Sequence, residues 1–284
     1  MNELRLALLN LPTVLGDPIA NAENLVCRMR EASAAGAQLV VGTELMLTGY
    51  TVGRFADMAR ACEDRIAVIA DEAQRLGLYV GFGLPMVQGG KLYNAYAVAG
   101  PGGSTVFGKM HRWWHGDREF EPWRELKLMD IHGFRVGVMV CFDGRYPEAA
   151  RSLALLGADL ILWPSNWPCA PKSNPEYLQV IGKARSFENQ CFVALANRDG
   201  GTVEENTDYA GGSALFGPTG KLEAEAGQAP QVLFATAGRE KLEQLRANFD
   251  IYTERDPVAY GPLSRKAPPW WHGAGSPEQG ERPC

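Results

Sequence analysis

Long apolar runs are missing: nowhere in the 284 residues do about 18 apolar residues follow one another, so no membrane-spanning helix is expected. Basic charge is not in excess either. Twenty-eight Lys and Arg stand against 33 Asp and Glu, a net charge of −5, which offers no electrostatic footprint for nucleic acid. The opening residues, MNELRLALLN, carry Glu3 and too short an apolar run for a secretory signal, so a cytoplasmic location is expected. The six cysteines (27, 62, 141, 169, 191 and 284) show neither CxxC pairs nor Cys/His spacing, which argues against a disulfide framework and against a metal cage. Only four histidines occur, and none has an evident Asn or Asp partner, so a Cys–His dyad has no support.

What is present is an alternation. Apolar, β-branched runs such as LRLALLN, QLVVGTE and LYVGFGLP are separated by stretches of helical period, among them NAENLVCRMREASAAG and residues 54–76. The alternation resumes with FRVGVMVC, PEAARSLALLG, ADLILWP, PEYLQVIGKARSFENQ and CFVALAN. Strands and crossover helices of an α/β protein are predicted. Between the halves, LYNAYAVAG and STVFGKM, flanked by GG and PGG turns, read as antiparallel hairpins, so the sheets should be mixed. GAQLVVGTE (36–44) and GADLILWPS (157–165) occupy equivalent places, a hint of internal duplication. No linker interrupts the chain, which reads as one domain, 1–284, with a core to about residue 253 and a Pro- and Gly-rich extension from 254 that includes Trp270 and Trp271.

Three strand ends carry chemistry. Cys141 closes FRVGVMVC just before Pro147 and Glu148 mark a helix start. Nearby backbone N–H groups and a helix dipole would favour its thiolate. Glu44 follows QLVVGT and Lys109 ends STVFGKM, charges where apolar character should continue. Each alone reads more simply as a core thiol or a solvated terminus. Together they suffice as nucleophile, base and oxyanion stabiliser, if their strand ends meet at one sheet edge.

These residues lie in TELMLTGY, GKMHR and CFDGRYPEAAR, accompanied by GADLILWPSNWP, ARSFENQCFVALANR and YAGGSALFGPTG. In those motifs, and in their order over roughly residues 4–236, the chain resembles the nitrilase superfamily of carbon–nitrogen hydrolases. The resemblance implies a four-layer α-β-β-α sandwich with two mixed sheets, no metal and no organic cofactor, and subunits paired as a homodimer or higher homo-oligomer. It implies that Cys141 attacks the substrate, Glu44 moves protons and Lys109 stabilises the tetrahedral intermediate. The N–H of Phe142 would complete the oxyanion site. Departures occur at Thr43, where the family usually has Pro, and after His111, where Arg112 opens the segment WWHGDREFEPW. Glu119 is the candidate for a second acid, with Asp117 close behind.

CFDGRYPE resembles amidases and N-carbamoyl hydrolases more than nitrilases proper, so a small linear amide or carbamoyl compound is the expected substrate. A nitrilase, or a thiol acyltransferase of the same fold, is the alternative; an inactive scaffold would have lost a triad member. Trp113, Trp114, Trp123, Trp163 and Trp167 are expected near the mouth, as packing or as substrate wall. Asn166, Trp167, Trp114 and Phe142 are substrate-binding candidates. Arg145 is a further one, for a carboxylate, with an ion pair to Glu148 or Asp143 as its more ordinary role.

Overall fold

A computed structural model describes residues 2–113, 116–168, 176–201, 207–227 and 229–265. The first half supplies β1 (Glu3–Asn10), α1 (Pro18–Ala34), β2 (Leu39–Val41), α2 (Phe55–Leu76), β3 (Tyr79–Gln88), β4 (Lys91–Gly100) and β5 (Gly103–Gly108). The second supplies β6 (Met129–Ile131), β7 (Phe134–Val138), α3 (Pro147–Leu155), β8 (Leu160–Ser165), α4 (Glu176–Asn189), β9 (Phe192–Asn197), β10 (Ala214–Phe216) and β11 (Leu222–Glu225). The chain then returns to the first half through β12 (Gln231–Gly238), continues into α5 (Arg239–Asn248) and adds a 3-10 segment, Pro257–Ser264.

Two six-stranded sheets result, ordered β12-β1-β2-β3-β4-β5 and β11-β10-β9-β8-β7-β6. Each has a parallel centre, β1-β2-β3 or β7-β8-β9, with antiparallel neighbours outside it. The sheets are therefore mixed, as the hairpin signals predict. The repeated sequence GAQLVVGTE and GADLILWPS falls on the middle parallel strands, β2 and β8. Each follows a helix whose last turn closes with a 6→1 bond, Ala37 N–H to Ala32 C=O and Ala158 N–H to Leu153 C=O. Gly36 and Gly157 make those turns at φ of 82° and 99°, where a side chain would be strained.

Alternation within the strands sorts the core into layers. In β1, Leu4, Leu6 and Leu8 enter the cluster between the two sheets, while Ala7 and Leu9 face the helices. That outer layer joins Leu25, Met29, Ile69 and Ala73 of α1 and α2 to Val80, Phe82 and Leu84 of β3. On the other side, Ala150, Leu153 and Leu178 of α3 and α4 cover β7, β8 and β9. Both faces of each sheet are buried, which explains why the parallel strands read as continuous apolar runs. The architecture is the four-layer α-β-β-α sandwich.

Candidate active site

β2, β5, β7 and β8 all deliver a residue of interest just past their C-terminal ends. Glu44 follows β2 in a turn whose next residue, Leu45, has φ 42°. The turn lies flat on β3: Gly83 N–H donates to Thr43 C=O at 3.1 Å, and Leu47 N–H donates to Gly83 C=O at 3.0 Å. A Cβ on Gly83 would stand 2.2 Å from Leu45 N, so only glycine admits this approach. Lys109 follows β5, its N–H bonded to Asn94 C=O of β4 at 2.9 Å. Trp123 packs behind it, N–H to Lys109 C=O at 2.9 Å, its ring filling the space a Cβ on Gly108 would need.

Cys141 opens a 3-10 turn, Cys141–Arg145, three residues beyond the end of β7. Its φ of 46° is sparsely populated for a non-glycine residue, a strain held at about 1–3 kcal/mol by its surroundings. Trp163 of β8 donates its indole N–H to Cys141 C=O at 2.8 Å. Asp143, fully buried, ties this turn to the lysine loop. Its carboxylate accepts from Val140 N–H at 2.9 Å and His111 N–H at 2.8 Å, and lies 3.2 Å from Met110 N. His111 Nδ1 lies 2.9 Å from the same carboxylate, its ring stacked 3.7 Å from that of Tyr146.

Glu44 is the hub. Its Oε1 accepts from Lys109 Nζ at 2.7 Å, Tyr50 OH at 2.8 Å and Asn94 Nδ2 at 2.9 Å, and its Oε2 accepts from Asn166 N–H at 3.1 Å. The Cys141 thiol lies close enough to the same carboxylate, to Lys109 and to the Asn166 N–H for all three to act on its ionisation. Glu44, Lys109 and Cys141 are thus brought together in a buried cluster.

The second acid is a correction. Asp117, not Glu119, meets the lysine: its Oδ2 lies 2.6 Å from Lys109 Nζ and accepts from Trp113 N–H at 2.7 Å. Glu119 is exposed and accepts from Gly53 N–H at 2.6 Å. The reason is the anchoring of the loop. Phe120 inserts against Leu45 and Phe55, its ring 4.5 Å from that of Phe55, and its N–H bonds back to Asp117 C=O. That anchor turns residue 117 inward and residue 119 outward.

The electrostatics also depart from expectation. Burial, reinforced by the charge of Glu44, pushes the Cys141 thiol well above its ordinary 9.0, although Lys109 and the Asn166 N–H pull the other way. The expected helix-dipole advantage is slight because the turn after Cys141 is five residues long. The resting sulfur is therefore a neutral thiol next to a base. Burial also works against the Lys109 ammonium, but Glu44 and Asp117 outweigh it and hold its pKa above 10.5. Burial raises Asp117 above 3.8, opposed by Lys109 and reinforced by Glu44. Tyr50 is raised well above 10.0, by burial first and by the carboxylates second, so its hydroxyl stays a donor.

Tyr50 and Asn94 join the cluster without having been singled out from the sequence. Tyr50 lies in TELMLTGY itself, and Asn94 is a buried polar residue in the apolar run of β4, which is the signal that could have found it. Among the other candidates, Asn166 lies against Glu44 through its backbone. Phe142 sits edge-on to Tyr146, ring centres 5.6 Å apart. Trp167 is buried, its N–H bonded to Asn197 Oδ1 at 2.8 Å. The Arg145 guanidinium lies 5.3 Å from the centre of the Trp167 ring, and the ion pair with Asp143 or Glu148 is not formed. Trp114 lies outside the described residues. Of the tryptophans expected at the mouth, Trp123 and Trp163 are buried behind Lys109 and Cys141. Trp113 does line a cavity of about 500 Å³ that opens from Tyr50 and Asn166. Among the described residues no group of three or more His, Cys, Asp and Glu could hold a metal ion, and no helix is long and apolar enough to cross a membrane.

A four-layer sandwich that gathers thiol, carboxylate and ammonium at its strand ends is the setting in which the comparisons define a class, the carbon–nitrogen hydrolases. The chain belongs to the carbon–nitrogen hydrolase family, whose family model matches residues 5–247, and so to the nitrilase superfamily. It is 32% identical over 274 residues to the "Hydrolase in pqqF 5'region" of Pseudomonas protegens, covering 93% of each chain. It is 28% identical to the Omega-amidase NIT2 of Danio rerio, covering 90% of this chain and 95% of that one. It is 33% identical to a protein of Pyrococcus abyssi named Nitrilase, covering 74% and 78%. The crystal structure of a carbon–nitrogen hydrolase from Helicobacter pylori G27 superposes with a TM-score of 0.86 at 22% identity, covering 93% of this chain and 99% of that one.

Proposed function

We propose that the protein hydrolyses a non-peptide C–N bond in a small linear amide or N-carbamoyl compound through a thioester on Cys141. The observation that carries this reading is the shared carboxylate: Glu44 bonds the Lys109 ammonium at 2.7 Å and stands beside the buried Cys141 thiol, whose ionisation it opposes. A thiol held neutral by burial needs such a base at the moment of attack.

Glu44 takes the Sγ proton as sulfur attacks the carbonyl carbon. The developing oxyanion is met by Lys109 and by the N–H of Phe142, and protonated Glu44 then gives its proton to the leaving nitrogen. Ammonia departs and a thioester remains. Glu44 next takes a proton from water, hydroxide attacks the thioester carbon, and the thiol is restored as the carboxylate product leaves. A carbamoyl substrate gives a carbamic acid at that step, which breaks down to amine and carbon dioxide. Asp117 and Tyr50 hold Lys109 and Glu44 in place throughout, and no step calls for a metal or an organic cofactor.

Amide hydrolysis is supported by the omega-amidase relatives, and the Nitrilase relative keeps nitriles among the substrates to be tested. The reading places the enzyme in a reducing cytoplasm, where Cys141 stays a thiol. It makes a second copy of the chain the expected partner, through the face where α3 and α4 expose Leu155, Leu156, Val180 and Phe187. Incubating the protein and its Cys141→Ala variant with linear amides, ureido acids and nitriles, and measuring ammonia and carbon dioxide, tests the reading. Ammonia from amides alone defines an amidase, and carbon dioxide alongside it a carbamoylase. Ammonia from nitriles but not amides, or equal activity in the variant, overturns it.

A further inference from the structure

The peptide unit between Cys141 and Phe142 carries the N–H that meets the oxyanion, and its other end is held. Its carbonyl, that of Cys141, accepts the indole N–H of the fully buried Trp163 at 2.8 Å. A trans peptide is planar, with N–H and C=O pointing opposite ways, so fixing one fixes the other. The Phe142 N–H is thereby aimed away from Trp163. Standing at the start of the 3-10 turn, it has no acceptor within that turn and is left free to donate. Gly144 gives the indole its place, since a Cβ there would stand 2.5 Å from Trp163 Cε2 and Cζ2. The donor itself sits on β8, whose Leu162 C=O accepts from Met139 N–H at 3.0 Å and so ties the strand to the approach of the cysteine turn. Arg185 of α4 secures the far end of the turn, donating to Gly144 C=O at 3.0 Å and to Arg145 C=O at 3.2 Å while paired with Glu188 at 3.1 Å. Cys141 needs such restraint: at φ 46° its backbone is strained, and relaxation would turn the peptide that follows.

We propose that Trp163 is a positioning residue for the oxyanion site: by bonding the Cys141 carbonyl, its indole N–H aims the Phe142 N–H at the oxygen on which charge develops. The same bond polarises that N–H, because donor and acceptor belong to one peptide unit. This rests on the hydrolase reading above and adds to it a residue that acts through the backbone alone.

Two variants of the full chain separate the ring from its donor. Trp163→Phe removes the N–H and part of the ring; replacing Trp163 by 3-benzothienylalanine, through a suppressed stop codon, keeps the bicyclic shape and removes the N–H alone. Each is compared with the parent in ammonia release from an amide, in affinity for the aldehyde with the same acyl chain, and in alkylation of Cys141 by iodoacetamide. The thiol adds across the aldehyde C=O: the S–C bond forms, the Sγ proton passes to Glu44, and the π pair moves onto oxygen as the charge the oxyanion site receives. Alkylation expels iodide and places no charge on such an oxygen. Both variants should lose about 10- to 100-fold in kcat and in aldehyde affinity together, somewhat less than outright removal of an oxyanion donor costs, with KM and the alkylation rate within about threefold of the parent. Parental kcat and aldehyde affinity in the benzothienyl protein would overturn the assignment. So would an alkylation rate that falls in step with kcat, since the sulfur itself would then have moved. If the parent releases no ammonia from any amide yet binds aldehydes through Cys141, the hydrolase reading falls while the aldehyde comparison still decides for or against Trp163. A parent to which no aldehyde adds overturns the proposal as well.

Discussion

Replacing Asp117 with Asn, and separately Glu119 with Gln, distinguishes two acids only two residues apart. Asp117 is fully buried and takes the Lys109 ammonium at 2.6 Å and the Trp113 N–H at 2.7 Å on one oxygen. Asparagine keeps the shape but removes the charge, so one charge-assisted hydrogen bond to the lysine is lost or weakened, worth about 1.5–3 kcal/mol. If Lys109 is positioned by that bond, kcat/KM should fall about 10- to 150-fold. Glu119 is exposed and bonds one backbone N–H, so Glu119→Gln should lie within about 0.5 kcal/mol of the parent, less than about threefold in rate. The assay is steady-state ammonia release on one amide, with circular dichroism confirming the fold of each variant. The stability of Asp117→Asn carries a second sign. Because burial raises the folded carboxyl above 3.8, the native state binds more protons than the unfolded chain as pH rises from 3.8 to that raised value. Asp117 therefore costs stability across that window, and the Asn variant should lose less stability there than the parent does. Equal rates for Asp117→Asn and the parent, or a larger loss in Glu119→Gln, would refute the assignment.

Three further outcomes follow from the same geometry. Alkylation of Cys141 by iodoacetamide should still be climbing with pH at 9, and Glu44→Gln, which removes a charge that disfavours thiolate, should alkylate faster than the parent at neutral pH while turnover collapses. Gly83→Ala should lower stability by about 1–3 kcal/mol, read by denaturant melting, and should cost kcat on the order of 100-fold, because its Cβ must displace the Thr43–Leu45 backbone that carries Glu44. Asp143→Ala should destabilise by about 1–3 kcal/mol or more in the same melts and reduce kcat, since Val140 and His111 lose the acceptor that joins the cysteine turn to the lysine loop.

The strands of the parallel centres were legible because burial on both faces leaves long apolar runs, and α1 to α4 because their apolar period is sustained. Strands β6 and β11, at three and four residues, are too short to leave a pattern, and α5 buries only Leu242, so its sequence lacks an apolar stripe. Glu44, Lys109 and Cys141 stood out because charge or sulfur interrupts apolar runs at strand ends. Asp117 and Glu119 could not be separated in that way, since they lie in an irregular loop and Phe120, packing on Phe55 and Leu45, decides which turns inward. The direction in which the thiol is shifted was misjudged for a similar reason. It depends on burial and on a carboxylate from the other sheet, and neither is a local property of CFDGR.

The most direct test of the account is to catch the bond it requires. The unaltered protein, mixed with an excess of an amide that it hydrolyses and quenched in acid during turnover, should gain by intact mass spectrometry the mass of the acyl group less one hydrogen, located by digestion on the peptide containing Cys141. Ammonia release at the parental rate by Cys141→Ala, or an acyl group found on any other residue, would contradict it.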